Sequence, residues 1–375
     1  MNKPFAITLD VGSSLVNHTG SWRTSRPLYV DRLPPCNNAC PAGENIQSWL
    51  FHAEEGNYRR AWEEIMVNNP LPAIMGRACY HPCETSCNRA KLDSAVNIHA
   101  VERFLGDLAI KEDWTVNVEA PPSGKKVLVV GAGPSGLSAA YHLARLGHGV
   151  TIMEAGPVAG GMMRFGIPTY RLPRAVVEAE VQRILDLGVE LRLNTKVEDI
   201  AGTMKDGGFD ACFIAIGAHL AKRVDIPAPD AGHILDAISF LHKMETEAEP
   251  PKLGRRVVVY GGGNTALDVA RTAKRLGDEA VIVYRRTREK MPAHDFEVEE
   301  ALDEGVTINW LRTITQIDEG SITVEKMELD ASGYPRPTGE YETIAGDTVV
   351  LALGQNVDTS VIARIPGVTM SRDGV

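Results

Sequence analysis

Lys125-Lys126-Val127-Leu128-Val129-Val130-Gly131-Ala132-Gly133-Pro134-Ser135-Gly136-Leu137 decides the fold of this chain. A β-prone apolar run enters Gly-x-Gly-x-x-Gly, and a helix-forming run over 138–146 leaves it. Gly131 permits a tight turn. Gly133 has no side chain to obstruct a pyrophosphate, and Gly136 lets helix and strand pack closely. The helix start offers free N–H groups to phosphate. A second strand over 148–153 ends at Glu154, a carboxylate placed to accept from ribose hydroxyls. The motif has meaning through this strand–turn–helix context; a bare glycine pattern would read as a turn in some other α/β domain.

The pattern recurs downstream. Arg255-Arg256-Val257-Val258-Val259-Tyr260-Gly261-Gly262-Gly263-Asn264-Thr265-Ala266 is a second strand, glycine loop and helix start. Ala266 replaces the third glycine and still permits close packing. The following strand, Val281 to Tyr284, ends in Arg285-Arg286 rather than an acid, which suits a 2′-phosphate. A strand ending in glycine occurs in both units, at 213–217 and 349–354. Two sites imply two cofactors, and the natural pair is a flavin and a nicotinamide. Short strands are also read at 189–193 and 196–197, with a helix at 175–187.

The expected fold is α/β with an α-helical N-terminal domain and two nested Rossmann-like units, the second inserted in the first. The expected division is an extended arm at 1–34, a helical Cys-rich domain at 35–120 and a first FAD-binding part at 123–222. An NAD(P)-binding domain at 223–343 and an incomplete second FAD-binding part at 344–375 follow.

Net charge is −10, which argues against nucleic acid as the main partner. No apolar run approaches the ~18 residues of a membrane span. The first twenty residues lack the apolar core of a secretion signal, so a cytoplasmic location is expected. Five of the six cysteines fall between Cys36 and Cys87, which points to metal or redox chemistry rather than a disulfide framework. They stand in Pro35-Cys36-Asn37-Asn38-Ala39-Cys40-Pro41 and Cys79-Tyr80-His81-Pro82-Cys83-Glu84-Thr85-Ser86-Cys87. Between and after them, helices are read at 45–55, 58–68 and 98–109. Thiolates gathered this way can hold an iron–sulfur cluster or zinc, or remain from an ancestor that held one. Cys212 stands alone and reads as a core residue. No Cys-x-x-Cys follows the flavin motif, which argues against a disulfide reductase.

Several ordered motifs between Cys36 and Gly354 carry a resemblance. They are Cys-x-x-x-Cys-Pro, Asn-Pro-Leu-Pro-Ala-Ile-x-Gly-Arg-x-Cys, Gly-Ala-Gly-Pro-Ser-Gly-Leu, Gly-Gly-x-x-x-x-Gly-Ile-Pro, Gly-Gly-Gly-Asn-Thr-Ala-x-Asp and Tyr-Arg-Arg. Together they resemble the glutamate synthase small (beta) subunit and the flavin-containing part of dihydropyrimidine dehydrogenase. The resemblance implies FAD at the first site, NAD(P)H at the second and iron–sulfur clusters in the helical domain. By it, Cys40, Cys79 and Cys83 match ligands of one [4Fe–4S] cluster, and Glu102 matches a fourth ligand. Cys36 and Cys87 match a second cluster whose two further cysteines lie upstream in the family; no cysteine precedes Cys36 here.

The expected flavin contacts are Gly131, Gly133, Pro134, Ser135, Gly136, Glu154 and Ala155. Gly161, Met162, Arg164, Val197, Ala215, Gly217 and Gly354 complete them. The nicotinamide contacts are Gly261, Gly263, Asn264, Thr265, Ala266, Arg285 and Arg286. Relatives carry an arginine near His294, and Asp295 would repel a 2′-phosphate, so dual or weakly discriminating use of NAD and NADP is expected. The family's closing segment, which returns to the flavin ring, lies beyond Val375, so part of the ring is expected to lack cover from this chain.

The expected function is that of a flavoprotein oxidoreductase subunit that exchanges hydride with NAD(P)H and passes single electrons to or from iron–sulfur centres of a larger metal-containing oxidoreductase subunit. Two alternatives stand beside it. One is a non-catalytic docking subunit that keeps the fold. The other is a stand-alone reductase of ferredoxin or dyes. Reduction of the flavin by NAD(P)H separates the first alternative, and native size the second.

Overall fold

The computed structural model describes residues 33–369, apart from 223, 225, 229–232, 248, 250, 364 and 366. All of the expected arm but its last two residues lies outside that range.

The quoted stretch forms the central strand Lys126–Val130 of a four-stranded parallel sheet. Its neighbours are Gly149–Met153 on one side and Ala211–Ile214 on the other, with Glu190–Arg192 at the far edge. An apolar run buried on both faces is what a parallel sheet covered by helices requires. On one face, Val129 and Ile152 meet Leu137 and Tyr141 of the helix Pro134–Arg145 and Val177 and Ile184 of the helix Arg174–Leu185. On the other, Leu128, Val130 and Met153 enclose Val197 and Ile200.

The second glycine motif sits in a five-stranded parallel sheet, ordered His233–Asp236, Thr348–Leu351, Arg256–Tyr260, Glu279–Tyr284, Thr307–Trp310. The helices Ala237–Thr246, Asn264–Leu276 and Asp295–Asp303 cover one face. The opposite face is covered by an antiparallel sheet, Arg312–Asp318, Ser321–Leu329 and Pro335–Ala345, through Ile314, Ile317, Ile322 and Val324. The chain leaves the first unit through Ala218–Ala221 and returns through Gln355–Val357, and these two strands pair antiparallel.

Three expectations change. The strand Thr348–Leu351 pairs with Arg256–Tyr260 and His233–Asp236, so it completes the second sheet. The return to the first unit therefore falls after Leu353, not at residue 344. No strand forms at 196–197: Asn194 takes a left-handed φ of 51° and the Thr195 amide bonds the Glu154 carbonyl, which turns the chain behind the sheet. The strand at 211–214 is a sheet edge with Phe213 exposed, not a buried strand, because it pairs only with Lys126–Val130.

The N-terminal unit is helical. Ile46–Glu54, Tyr58–Ile65 and Ile98–Lys111 enclose Trp49, Ile65 and Leu105. Pro72–Ala78 crosses Ile98–Lys111 closely, because Gly76 faces the Arg103 backbone and Gly106 faces the Ala73 backbone with no room for a Cβ. This unit is fused to the first sheet. Trp62, Met66, Leu71 and Ile74 share one core with Val129, Leu137 and Ile152. The Tyr141 hydroxyl donates to the Met66 carbonyl at 2.8 Å. The Glu180 carboxylate accepts from the Ala73 and Ile74 amides at 2.9 and 3.0 Å.

Candidate functional site

Both glycine loops make a cradle of the same build. Gly131 has φ +105° and Gly261 has φ +153°; a Cβ at either would strike the carbonyl oxygen of Ala215 or Ala352, the residue beyond the neighbouring strand. A Cβ on Gly136 would meet the Gly131 carbonyl. At the middle position the space is open: a Cβ at Gly133 would reach only Gly161, at 3.9 Å, and one at Gly263 would meet nothing within 4 Å. Each helix begins on its middle glycine with no side-chain cap, which leaves first-turn N–H groups for an anion. Pro134 and Ser135 are exposed over the first opening.

The far wall of the first cradle is Gly160-Gly161. The Gly160 amide donates to the Ala132 carbonyl at 2.9 Å. A Cβ on Gly161 would press on the Gly133 backbone, so the two loops approach main chain to main chain. Met162 opens the short helix Met162–Phe165 behind it. The Glu154 carboxylate accepts from the Ala132 and Gly156 amides, both at 2.7 Å, which fixes its plane and leaves each oxygen a second lone pair. Ala155 beside it is exposed. Val197 is buried in the core behind the sheet. Arg164 points elsewhere: it pairs with Glu178 at 3.1 Å and Glu245 at 3.0 Å. Gly217 and Gly354, both with positive φ, flank the paired strands through which the units connect.

In the second cradle the Asn264 side chain accepts from the His294 amide at 3.0 Å, and the Ala293 amide donates to the Gly262 carbonyl at 3.2 Å. Thr265 and Ala266 form the first turn of the helix. The loop after Tyr284 is thereby tied down across the glycines. Arg285 is exposed, and the Nε of Arg286 is buried with no hydrogen-bond partner. Their neighbour Arg288 is paired with Glu299 at 2.8 Å. Asp295 opens the helix Asp295–Asp303, where a carboxylate favours the helix dipole.

The helical unit gathers the cysteines. The His81 amide donates to the Cys79 sulfur at 3.4 Å. Cys79 lies within electrostatic reach of Cys40 and Glu102, and Cys83 of Cys79 and Cys40. Burial raises all three thiols, Cys83 to about 12, and it raises Glu102 well above the carboxylate range. The side chains acting most strongly on the three thiols are other cysteines and carboxylates. A set of donors that burial holds neutral and that a cation would ionise, with the His81 amide on one sulfur, fits a cationic iron–sulfur centre. Glu102 is no solvated helix charge: it is buried and accepts from Asn69 at 2.7 Å. Cys36 and Cys87 are not among the side chains acting most strongly on these three thiols; both are half-buried, and backbone N–H groups of Val96, Arg89 and Ala90 lower the Cys87 pKa.

Sequence reasoning missed the roles of Glu44 and Glu180, buried polar groups with no local pattern to mark them, and of Asn69, which it met only as the first residue of a family motif. It also missed His81, Glu84 and His99, whose ligating atoms lie within 4.8 Å of one another. The two imidazoles stack face to face at 4.0 Å, and His99 Nδ1 already meets Glu84 at 2.9 Å. Stacked rings do not aim their lone pairs at one point, so the trio braces the turn between Cys79 and Cys83.

Two nested dinucleotide cradles of this build define a flavin- and nicotinamide-linked oxidoreductase. The chain belongs to the pyridine nucleotide-disulphide oxidoreductase family, which it matches at 94–208 and 125–375. Residues 19–114 match the dihydropyrimidine dehydrogenase domain II, 4Fe-4S cluster family. The chain is 37% identical over 365 residues to the NADP(+)-dependent formate dehydrogenase subunit beta of Moorella thermoacetica, covering 88% of this chain and 52% of that one. It is 37% identical over 370 residues to the NADPH-Fe(3+) oxidoreductase subunit beta of Geobacter sulfurreducens, covering 92% and 54%. The Escherichia coli glutamate synthase [NADPH] small chain is 33% identical over 348 residues, covering 86% and 74%. The chain thus spans about half the length of the first two relatives. Mycobacterium tuberculosis FprA in complex with NADPH shares the fold at a TM-score of 0.55 and 21% identity, over 66% of this chain and 73% of that one. Among the described residues, no helix is long and apolar enough to cross a membrane.

Proposed function

We propose that this chain is the NAD(P)H-linked flavoprotein part of a larger electron-transfer complex, with one [4Fe–4S] centre held by Cys40, Cys79, Cys83 and Glu102. When bound, NAD(P)H supplies hydride, FAD accepts it, and an iron–sulfur centre carries electrons singly. The chain's residues bind and orient. The amides behind Gly133 and Gly263 take the two pyrophosphates, Glu154 takes the flavin ribose, and Arg285 and Arg286 take a 2′-phosphate. One observation carries the reading: the helical unit that holds the cysteines shares a core, through Trp62, Ile74 and Ala109, with the sheet that ends in the first cradle. A binding fold with a spare docking domain would not need that fusion.

The uncompensated Arg285–Arg286 pair supports NADPH over NADH, and the names of the first two relatives point the same way. The partner proposed is a metal-containing oxidoreductase subunit, as the relatives' designation as beta subunits suggests. Iron and acid-labile sulfide analysis of the anaerobically purified chain tests the centre. About four irons per chain are expected. No iron in folded, FAD-loaded protein would overturn the centre and leave the cysteines as the remnant of one.

A further inference from the structure

We infer that Glu44 is a positioning residue for the iron–sulfur centre, acting through Asn69 on the carboxylate of Glu102. The inference rests on the cluster reading above and adds to it a residue outside the ligand set. Asn69 is locked first. Its Oδ1 accepts from the Leu71 amide at 3.0 Å, which directs its NH₂ group the other way. That NH₂ donates to Glu44 Oε1 at 3.0 Å and to Glu102 Oε1 at 2.7 Å. Its two hydrogens are thereby used, one on each carboxylate. Glu44 is held in turn by the Trp49 indole, which donates to Oε2 at 3.1 Å.

All four side chains are buried, with Glu44 5%, Asn69 5%, Glu102 7% and Trp49 0% exposed. A buried acid is costly unless its lone pairs are satisfied, so this arrangement has one geometry that works. Glu44 also lies four residues after Cys40 on the same loop and acts on that thiol electrostatically. One residue therefore couples the loop that carries Cys40 to the helix that carries Glu102. With Oε1 taken by Asn69, Glu102 keeps Oε2 for another partner. Two donors, Asn69 and Trp49, meet the two oxygens of Glu44, so a glutamine there has one acceptor for both and loosens the hold on Glu102.

The test uses the full chain, purified anaerobically and reconstituted with ferrous iron and sulfide, in wild-type, Glu44→Gln and Asn69→Leu forms. Thermal melts verify that each is folded. Electron paramagnetic resonance of the dithionite-reduced protein and a redox titration are the readouts. Glu44→Gln is expected to keep its iron and to change both the g-values and the midpoint potential. Asn69→Leu is expected to change the g-values or lose at least half of its iron. If Asn69→Leu does not fold, the Glu44→Gln potential decides alone. Iron-loaded Glu44→Gln with the wild-type spectrum and potential would overturn the inference and leave the cluster standing. Wild-type protein that takes up no iron would overturn the cluster reading and the inference with it.

Discussion

Single buried carboxylates carry much of the tension in this molecule. Glu180 is fully buried, accepts two helix-start amides and sits 3.4 Å from Arg183; desolvation pushes it from the ordinary 4.5 up to about 7. The folded state therefore holds this proton more tightly than the unfolded chain does. Its contribution is fully present below about pH 4.5 and is lost as pH rises through about 7. Glu180→Gln mimics the protonated acid. The stability difference between variant and wild type, from urea melts, should move in the variant's favour by up to about 3 kcal/mol between pH 4.5 and 8. At the flavin ribose the prediction is simpler. Glu154→Ala removes one charge-assisted acceptor, so FAD titration should show binding weaker by about 10- to 100-fold, or roughly 1.5–3 kcal/mol. Glu154 was legible in the sequence because a strand end fixes where its carboxylate goes. The roles of Glu44, Asn69 and Glu180 were not, because each is set by contacts from distant segments: Glu180 caps a helix 106 residues away in sequence.

At the scale of elements, each strand–glycine–helix turn is a device whose positions have separate duties. The first glycine carries a backbone only glycine adopts freely, whereas Gly263 has an ordinary extended backbone, φ −89° and ψ 173°, beside open space. Gly263→Val should therefore fold and keep FAD yet weaken NAD(P)H by at least about tenfold, ~1.4 kcal/mol. Fluorescence titration against wild type measures this; unchanged affinity would show that the pyrophosphate lies elsewhere. These elements were readable because their chemistry is local. The antiparallel sheet Arg312–Ala345 was not read, although Glu319-Gly320 and Ser332-Gly333 mark its two turns. Its alternation is broken by register shifts near Thr315 and Lys326, which disrupt the period-two signal. The strand Thr348–Leu351 was read as the glycine-ended strand of the second unit, yet the boundary drawn at 344 cut it off from that unit, since nothing local in an apolar run names its partner.

The whole molecule is held together by charge as well as by core. Arg171 leaves the first unit to reach Asp268 at 2.7 Å and Glu297 at 2.5 Å on two helices of the second. Arg164 and Arg174 meet Glu245 on a third. Arg171→Ala would strand two buried acids, so a loss of about 3–5 kcal/mol in urea melts is expected. The nested arrangement follows from paired crossover strands, and the helical unit is fused to the flavin unit by shared core at Trp62, Ile74 and Ala109. Such a frame has one central claim: electrons enter at the second cradle and leave the nicotinamide for the flavin in the first. Anaerobic stopped-flow absorbance of the FAD-loaded chain tests it most directly. Mixing with NADPH should bleach the flavin band near 450 nm far faster than it bleaches free FAD, and faster than NADH does at equal concentration. A folded, FAD-loaded chain whose flavin neither nucleotide bleaches faster than free FAD would contradict the account.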